Sequence, residues 1–95
     1  EKEFGLRMFH CWGDDGEYGI QCDHAGANET SIMMAVRPEL VHMEYLDPNP
    51  DVFPLCVGGR DPRLHASAGY GNECIDRQSK RMSELILKAL ERDST

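Results

Sequence analysis

The sequence predicts an α/β layered domain, and three observations carry that expectation. A strand-like apolar segment opens the chain, Phe4-Gly5-Leu6-Arg7-Met8-Phe9-His10-Cys11-Trp12. An amphipathic helix closes it, with Ile75, Met82, Leu85, Ile86, Ala89 and Leu90 returning to one face at helical spacing. Between them lies a second apolar run, entered from a loop rich in titratable groups and followed by a long Pro- and Gly-bearing connection. Strand, helix, covering loop and amphipathic helix are the parts of a layered domain with one core. One or two strands do not make a sheet, so residues outside this chain are expected to complete it.

Taken in order, residues 4–12 do not alternate cleanly between apolar and polar, which is the pattern of a strand covered on both faces. Gly13-Asp14-Asp15-Gly16-Glu17 is an acidic turn. The run Ile32-Met33-Met34-Ala35-Val36 reads as a buried helix, capped by Asn28 or Thr30 and with Glu29 favourably placed in its first turn. Pro38 ends it near Val36 or Arg37, because its ring disfavours helical geometry in the residue before it. A short helical turn can restart on Pro38 itself. Residues 47–63 hold four of the five prolines and Gly58-Gly59, and form a long irregular connection of the kind that covers a site or a subunit surface. The last helix is expected to start on an Asn72 cap and to run to Leu90 or Glu91.

Composition limits what the chain can be. Its 95 residues allow one small domain, and 40% hydrophobic content is modest for independent folding. A net charge of −7, from 17 acidic and 10 basic residues, argues against a nucleic-acid groove, which needs clustered cations. Arg77, Lys80 and Arg81 form the one basic cluster and read as a solvated helix face. No apolar run approaches the roughly 18 residues of a membrane span. Cys11, Cys22, Cys56 and Cys74 are widely spaced beside apolar residues, so reduced, at least partly buried thiols and a cytoplasmic location are expected.

The chemistry concentrates in Asp23-His24-Ala25-Gly26-Ala27-Asn28-Glu29-Thr30-Ser31. A His between two carboxylates at a helix start suits proton transfer near neutral pH, a metal, or a substrate amide. Each residue also has a plainer reading. His24 could bond only a loop carbonyl, Glu29 could serve only the helix dipole, and Asp23 could be a capping residue. Trp12, the sole tryptophan, sits at a strand end, where sites lie in open α/β sheets, but a core role is equally open. His10, Cys11, Cys22 and His24 could in principle surround zinc, although they lack the short Cys-x₂-Cys spacing that makes such a site specific. His42 and His65 read as surface or packing residues.

The same stretch, followed by Met33-Met34-Ala35 and Arg37-Pro38-Glu39-Leu40-Val41, resembles the creatininase (creatinine amidohydrolase) family. There a His-(Gly or Ala)-Gly-x-x-Glu-Thr-Ser stretch opens a helix, and a Pro-x-Leu-Val segment follows. Phe9-His10-Cys11-Trp12 upstream, and Asp61-Pro62-Arg63 with Ala66-Ser67-Ala68 downstream, extend the likeness over nearly the whole chain. The resemblance implies the C-terminal portion, residues 1–95, of a three-layer α/β/α domain with a mainly parallel sheet. It also implies a metal-dependent hydrolase of amide-type C–N bonds in small, often cyclic molecules, assembled as a homo-oligomer, usually a hexamer. By motif, His24 would be the catalytic proton shuttle, Trp12 and Asp23 substrate-binding residues, and Glu29 an acidic residue at the metal. The divalent metal (zinc, manganese or iron) would take its main ligands from outside this chain, since the family's acid-x-His pair, Asp and Gly-His segment are missing here. A non-catalytic remnant or interaction subunit, paired with another chain, is the alternative.

Overall fold

The computed structural model describes Gly5, Leu6, Met8 and residues 23–93. Most of the predicted strand over residues 4–12, with Trp12, His10 and Cys11, therefore lies outside the described residues, as does Cys22, while its described positions Gly5, Leu6 and Met8 are not in a strand. Among the described residues the fold is helical: α1 (Ala27–Val36), two 3₁₀ turns (Pro38–Leu40 and Met43–Tyr45), the single-turn α2 (Pro62–His65) and α3 (Ala68–Asp93). The expected mainly parallel sheet of an α/β/α domain is not there. The described residues contain no strand, and their one β feature is an isolated antiparallel bridge between His24 and Gly58. The α/β expectation is corrected accordingly. It depended on a sheet that the segments of residues 23–93 do not supply: their two long apolar stretches fold as α1 and α3, and the connection between them forms turns.

The two long helices meet along a seam of small residues. Ala27 and Ser31 on α1 and Cys74 on α3 are fully buried. At Gly71 the helices approach so closely that a Cβ would lie 1.8 Å from the Ser31 carbonyl oxygen. The buried Ser31 hydroxyl accepts a hydrogen bond from the Ser67 N–H at 3.0 Å. Ser67 Oγ in turn accepts from the Tyr70 N–H at 3.1 Å, which caps α3. The seam thus fixes both where α3 crosses α1 and where it begins.

Two expectations about this pair change. The helix α3 starts at Ala68, not after Asn72, because Ser67 is the better-placed cap and the crossing itself accommodates Gly71. The face of α1 that is buried carries Ala27 and Ser31, whereas Met33 and Val36 are 45% and 57% exposed. Side chains small enough for a close crossing, rather than the large apolar ones, form the contact.

The connection between the short turns and α2 is tied by one arginine. Asp61 caps α2, its Oδ1 accepting from the Arg63 N–H at 2.9 Å. The Arg63 guanidinium grips the same carboxylate through Nε and Nη2, and its Nη1 donates to the carbonyl oxygens of Asp47 (2.7 Å) and Asn49 (2.9 Å). That planar fork is what arginine offers and lysine does not. The Asp47 and Asn49 side chains each accept from the backbone N–H two residues on, which keeps the Pro-rich loop turning.

Candidate functional site: the groove at the start of α1

The loop before α1 and the covering loop together satisfy every N–H of the first helical turn, group by group. Ala27 N–H donates to the Arg60 carbonyl (3.0 Å), Asn28 N–H to Asp23 Oδ2 (2.8 Å) and Glu29 N–H to Asp23 Oδ1 (2.9 Å). Thr30 N–H donates to the Gly26 carbonyl (2.9 Å). Glu29 answers from inside the helix, its Oε2 accepting from the Ala25 N–H at 2.7 Å. This is a reciprocal cap like a capping box, but its acid lies three residues before the N-cap instead of at it, where Gly26 has no side chain. Neither Asn28 nor Thr30 caps the helix, as the spacing had suggested.

Asp23 fits because two glycines make room for it. A Cβ on Gly26 would fall 2.6 Å from Asp23 Oδ2, and one on Gly59 would fall 2.7 Å from Asp23 Cβ. Gly59 also holds a φ of +130°, a conformation that L-residues avoid. Next to it, His24 and Gly58 exchange two backbone hydrogen bonds of 2.8 Å. The covering loop is therefore pinned against the His24 turn. Ala25 (φ 53°) and Cys56 (φ 62°) both adopt the left-handed conformation here. Such strain persists only where surroundings over-determine it, and it concentrates at binding sites.

A groove of about 600 Å³ opens beside this turn. His24, Glu29 and Thr30 line it from the start of α1, His42 from the segment after the first 3₁₀ turn, and Cys56 from the covering loop. Met33, Leu40, Leu46 and Leu55 supply apolar lining. An apolar groove with a few polar groups converging on it is the usual form of a small-molecule site.

Of the residues singled out from the sequence, the structure brings His24 and Glu29 to one groove. Asp23 lies behind them with both carboxylate oxygens engaged by helix N–H groups, a capping geometry. Trp12 lies outside the described residues. Among the described residues no cluster of three or more His, Cys, Asp and Glu side chains is arranged to hold a metal ion. Glu29 alone, with one oxygen already accepting from Ala25, does not make a metal site, so the residues described here do not fit the metal that the resemblance implies.

Sequence reasoning missed His42 and Cys56 in the groove. His42 Nδ1 lies 3.0 Å from Glu44 Oε1, and its ring packs at 5.3 Å from that of Tyr45. The Glu44 carboxyl is held below its ordinary pKa by its own backbone N–H first and by His42 second. Cys56 is a free, exposed thiol, contrary to the burial expected of it, while Cys74 is free and buried as expected. Burial pushes the Cys74 thiol up, and burial likewise raises the Tyr70 phenol, whose hydroxyl donates to Asn28 Oδ1. No described helix is long and apolar enough to cross a membrane. Comparison with protein-family models, with curated proteins and with solved structures gave no match to this chain.

Proposed function

We propose that this chain is the C-terminal part of a cytoplasmic amidohydrolase that cleaves an amide-type C–N bond in a small molecule. The observation that carries the reading is the groove at the start of α1, which His24 and Glu29 share with an apolar lining. His24 is anchored through its backbone to Gly58 and keeps its side chain exposed at the groove, as a group exchanging protons with a bound molecule requires. Hydrolysis adds water across the C–N bond, and the departing nitrogen must gain a proton. In this reading the His24 imidazolium delivers it as the C–N bond breaks, the water's hydroxyl stays on the acyl carbon, and its released proton returns to the imidazole, so that a carboxylate and an amine are the products. Glu29, fixed by the Ala25 N–H through one oxygen, lines the same groove, where its other oxygen would orient the substrate or a metal ligand. Zinc, manganese or iron, with its main ligands outside this chain, belongs to the proposal by resemblance alone.

Substitution in the complete enzyme tests the assignment. His24→Ala should depress kcat by about 10²–10⁴-fold, the usual contribution of a positioned acid, without loss of bound metal. Glu29→Ala should lower metal occupancy as well as rate if the carboxylate supports a ligand. Metal loss in the first variant with retention in the second would reverse the roles. Unchanged kinetics in both would remove the enzymatic reading.

The exposed apolar surface of α3 favours a second reading, an interaction subunit that pairs with another chain or with further copies of itself. Leu87 and Leu90 are 59% and 56% exposed there. A subunit of this kind would show wild-type assembly in the His24→Ala variant and no turnover in either form.

A further inference from the structure

The second imidazole of the groove has no role in the cap or in the packing of α1 on α3. His42 stands between the two 3₁₀ turns, lines the groove that His24 and Glu29 line, and has Glu44 Oε1 at 3.0 Å from its Nδ1. An ionised carboxylate can only accept, so the neutral ring must carry its hydrogen on Nδ1 to make this bond. That choice leaves Nε2 as an acceptor. Tyr45, with its ring centroid 5.3 Å away and tilted by 34°, packs against the imidazole from the same turn. A carboxylate fixing the tautomer of a histidine whose other nitrogen meets a ligand is a recurrent arrangement in sites that handle protons.

We propose that His42 is a second ligand-contacting residue of this groove, positioned by Glu44 so that its Nε2 accepts a hydrogen bond from the N–H of a small amide. The proposal rests on the groove being the substrate site. It narrows the substrate class to amides that retain an N–H, and it gives the groove a polar contact separate from His24. The other titratable groups lining the groove are His24, Glu29 and the Cys56 thiol. Of these, Glu29 and a neutral His24 can accept as well, so discrimination has to be read at His42 itself.

Nitrogen NMR of the imidazole rings in the full chain tests this, with His42 assigned by loss of its signals in His42→Gln. In its neutral form, His42 should show the Nδ1–H tautomer. In Glu44→Ala the tautomer ratio should fall by at least roughly twofold toward that of an unrestrained histidine side chain, which favours Nε2–H. The probe is 2-pyrrolidinone, a small cyclic amide, with N-methyl-2-pyrrolidinone as its partner lacking the N–H. The first should shift the His42 Nε2 resonance in a saturable way and the second should not. An Nε2–H tautomer in the wild type, or a tautomer indifferent to Glu44→Ala, overturns the positioning. Equal shifts from both amides, or none at His42, overturn the contact. Failure of the amidohydrolase reading would appear elsewhere, as unchanged turnover in His24→Ala, and would leave the His42 tautomer where it is.

Discussion

At the scale of single residues, Asp23 separates capping from substrate contact. Both of its oxygens accept from N–H groups of the first turn of α1, so Asp23→Ala leaves the Asn28 and Glu29 amides to find water. The expected cost is about 1 kcal/mol, the usual value for a lost helix cap, with about 2 as the upper range. Urea unfolding should show a lower midpoint at unchanged slope, and Asp23→Asn should recover part of it. The position of this acid, ahead of the helix, was legible in the sequence. Its employment was not, because an acid at a helix start looks the same whether it faces the backbone or a ligand. His42 was passed over because nothing in Val41-His42-Met43 marks it. Only the folding of the Pro38–Leu40 and Met43–Tyr45 turns beside α1 brings it to the groove.

Among the elements, the crossing of α1 and α3 makes an unusually clear prediction. Helix propensity favours alanine over glycine by about 1 kcal/mol, so Gly71→Ala would stabilise an isolated helix. Here a Cβ would lie 1.8 Å from backbone of α1 and 3.0 Å from Ala35 Cβ, and backbone cannot swing aside as a side chain can. Overpacking of this kind costs roughly 1–3 kcal/mol and should win. Gly69 meets nothing within 4 Å, so Gly69→Ala is the matched control and should be neutral or stabilising by up to ~1 kcal/mol. The thermal midpoint should fall in Gly71→Ala and hold or rise in Gly69→Ala. The covering loop yields a pH prediction. The Arg63 guanidinium holds the Asp61 carboxyl below the ordinary aspartate range. Because its folded-state pKa is lowered, the stabilisation is present above the unfolded value, near 3.9, and is lost as pH falls through the folded one. Protection of the Asn49 and Asp51 amides from hydrogen exchange should therefore weaken below about pH 4, and Asp61→Asn should show the weakened state at neutral pH. The helices and the Pro38 break were readable because periodicity and proline act locally. The small-residue seam was not, since Ala27, Ser31, Gly71 and Cys74 carry no periodic apolar signal. The sheet was an expectation of the resemblance more than of any strand pattern in residues 23–93, and among those residues the resemblance gave the wrong layer.

For the molecule as a whole, surface decides what can be asked of the isolated chain. Large apolar side chains stay exposed among the described residues, including Leu85, Ile86, Leu87 and Leu90 on α3. The slope of unfolding free energy with denaturant scales with the area exposed on unfolding, so it should sit toward the lower end of the roughly 1–3 kcal/mol/M of urea seen for small compact domains. A metal could raise stability only through ligands that bind it in the folded state, by an amount set by concentration over Kd. The described residues offer Glu29 without companions arranged around it, and a stable catalytic site needs about three protein ligands. Zinc or manganese at a few times the protein concentration should then leave the urea midpoint within error of the chelator-treated chain, and calorimetric titration should show no tight equivalent. A midpoint rising steadily with metal, together with a one-to-one binding isotherm, would mean that this chain gathers its own ligand set, and the proposal that the main ligands lie outside it would have to be abandoned.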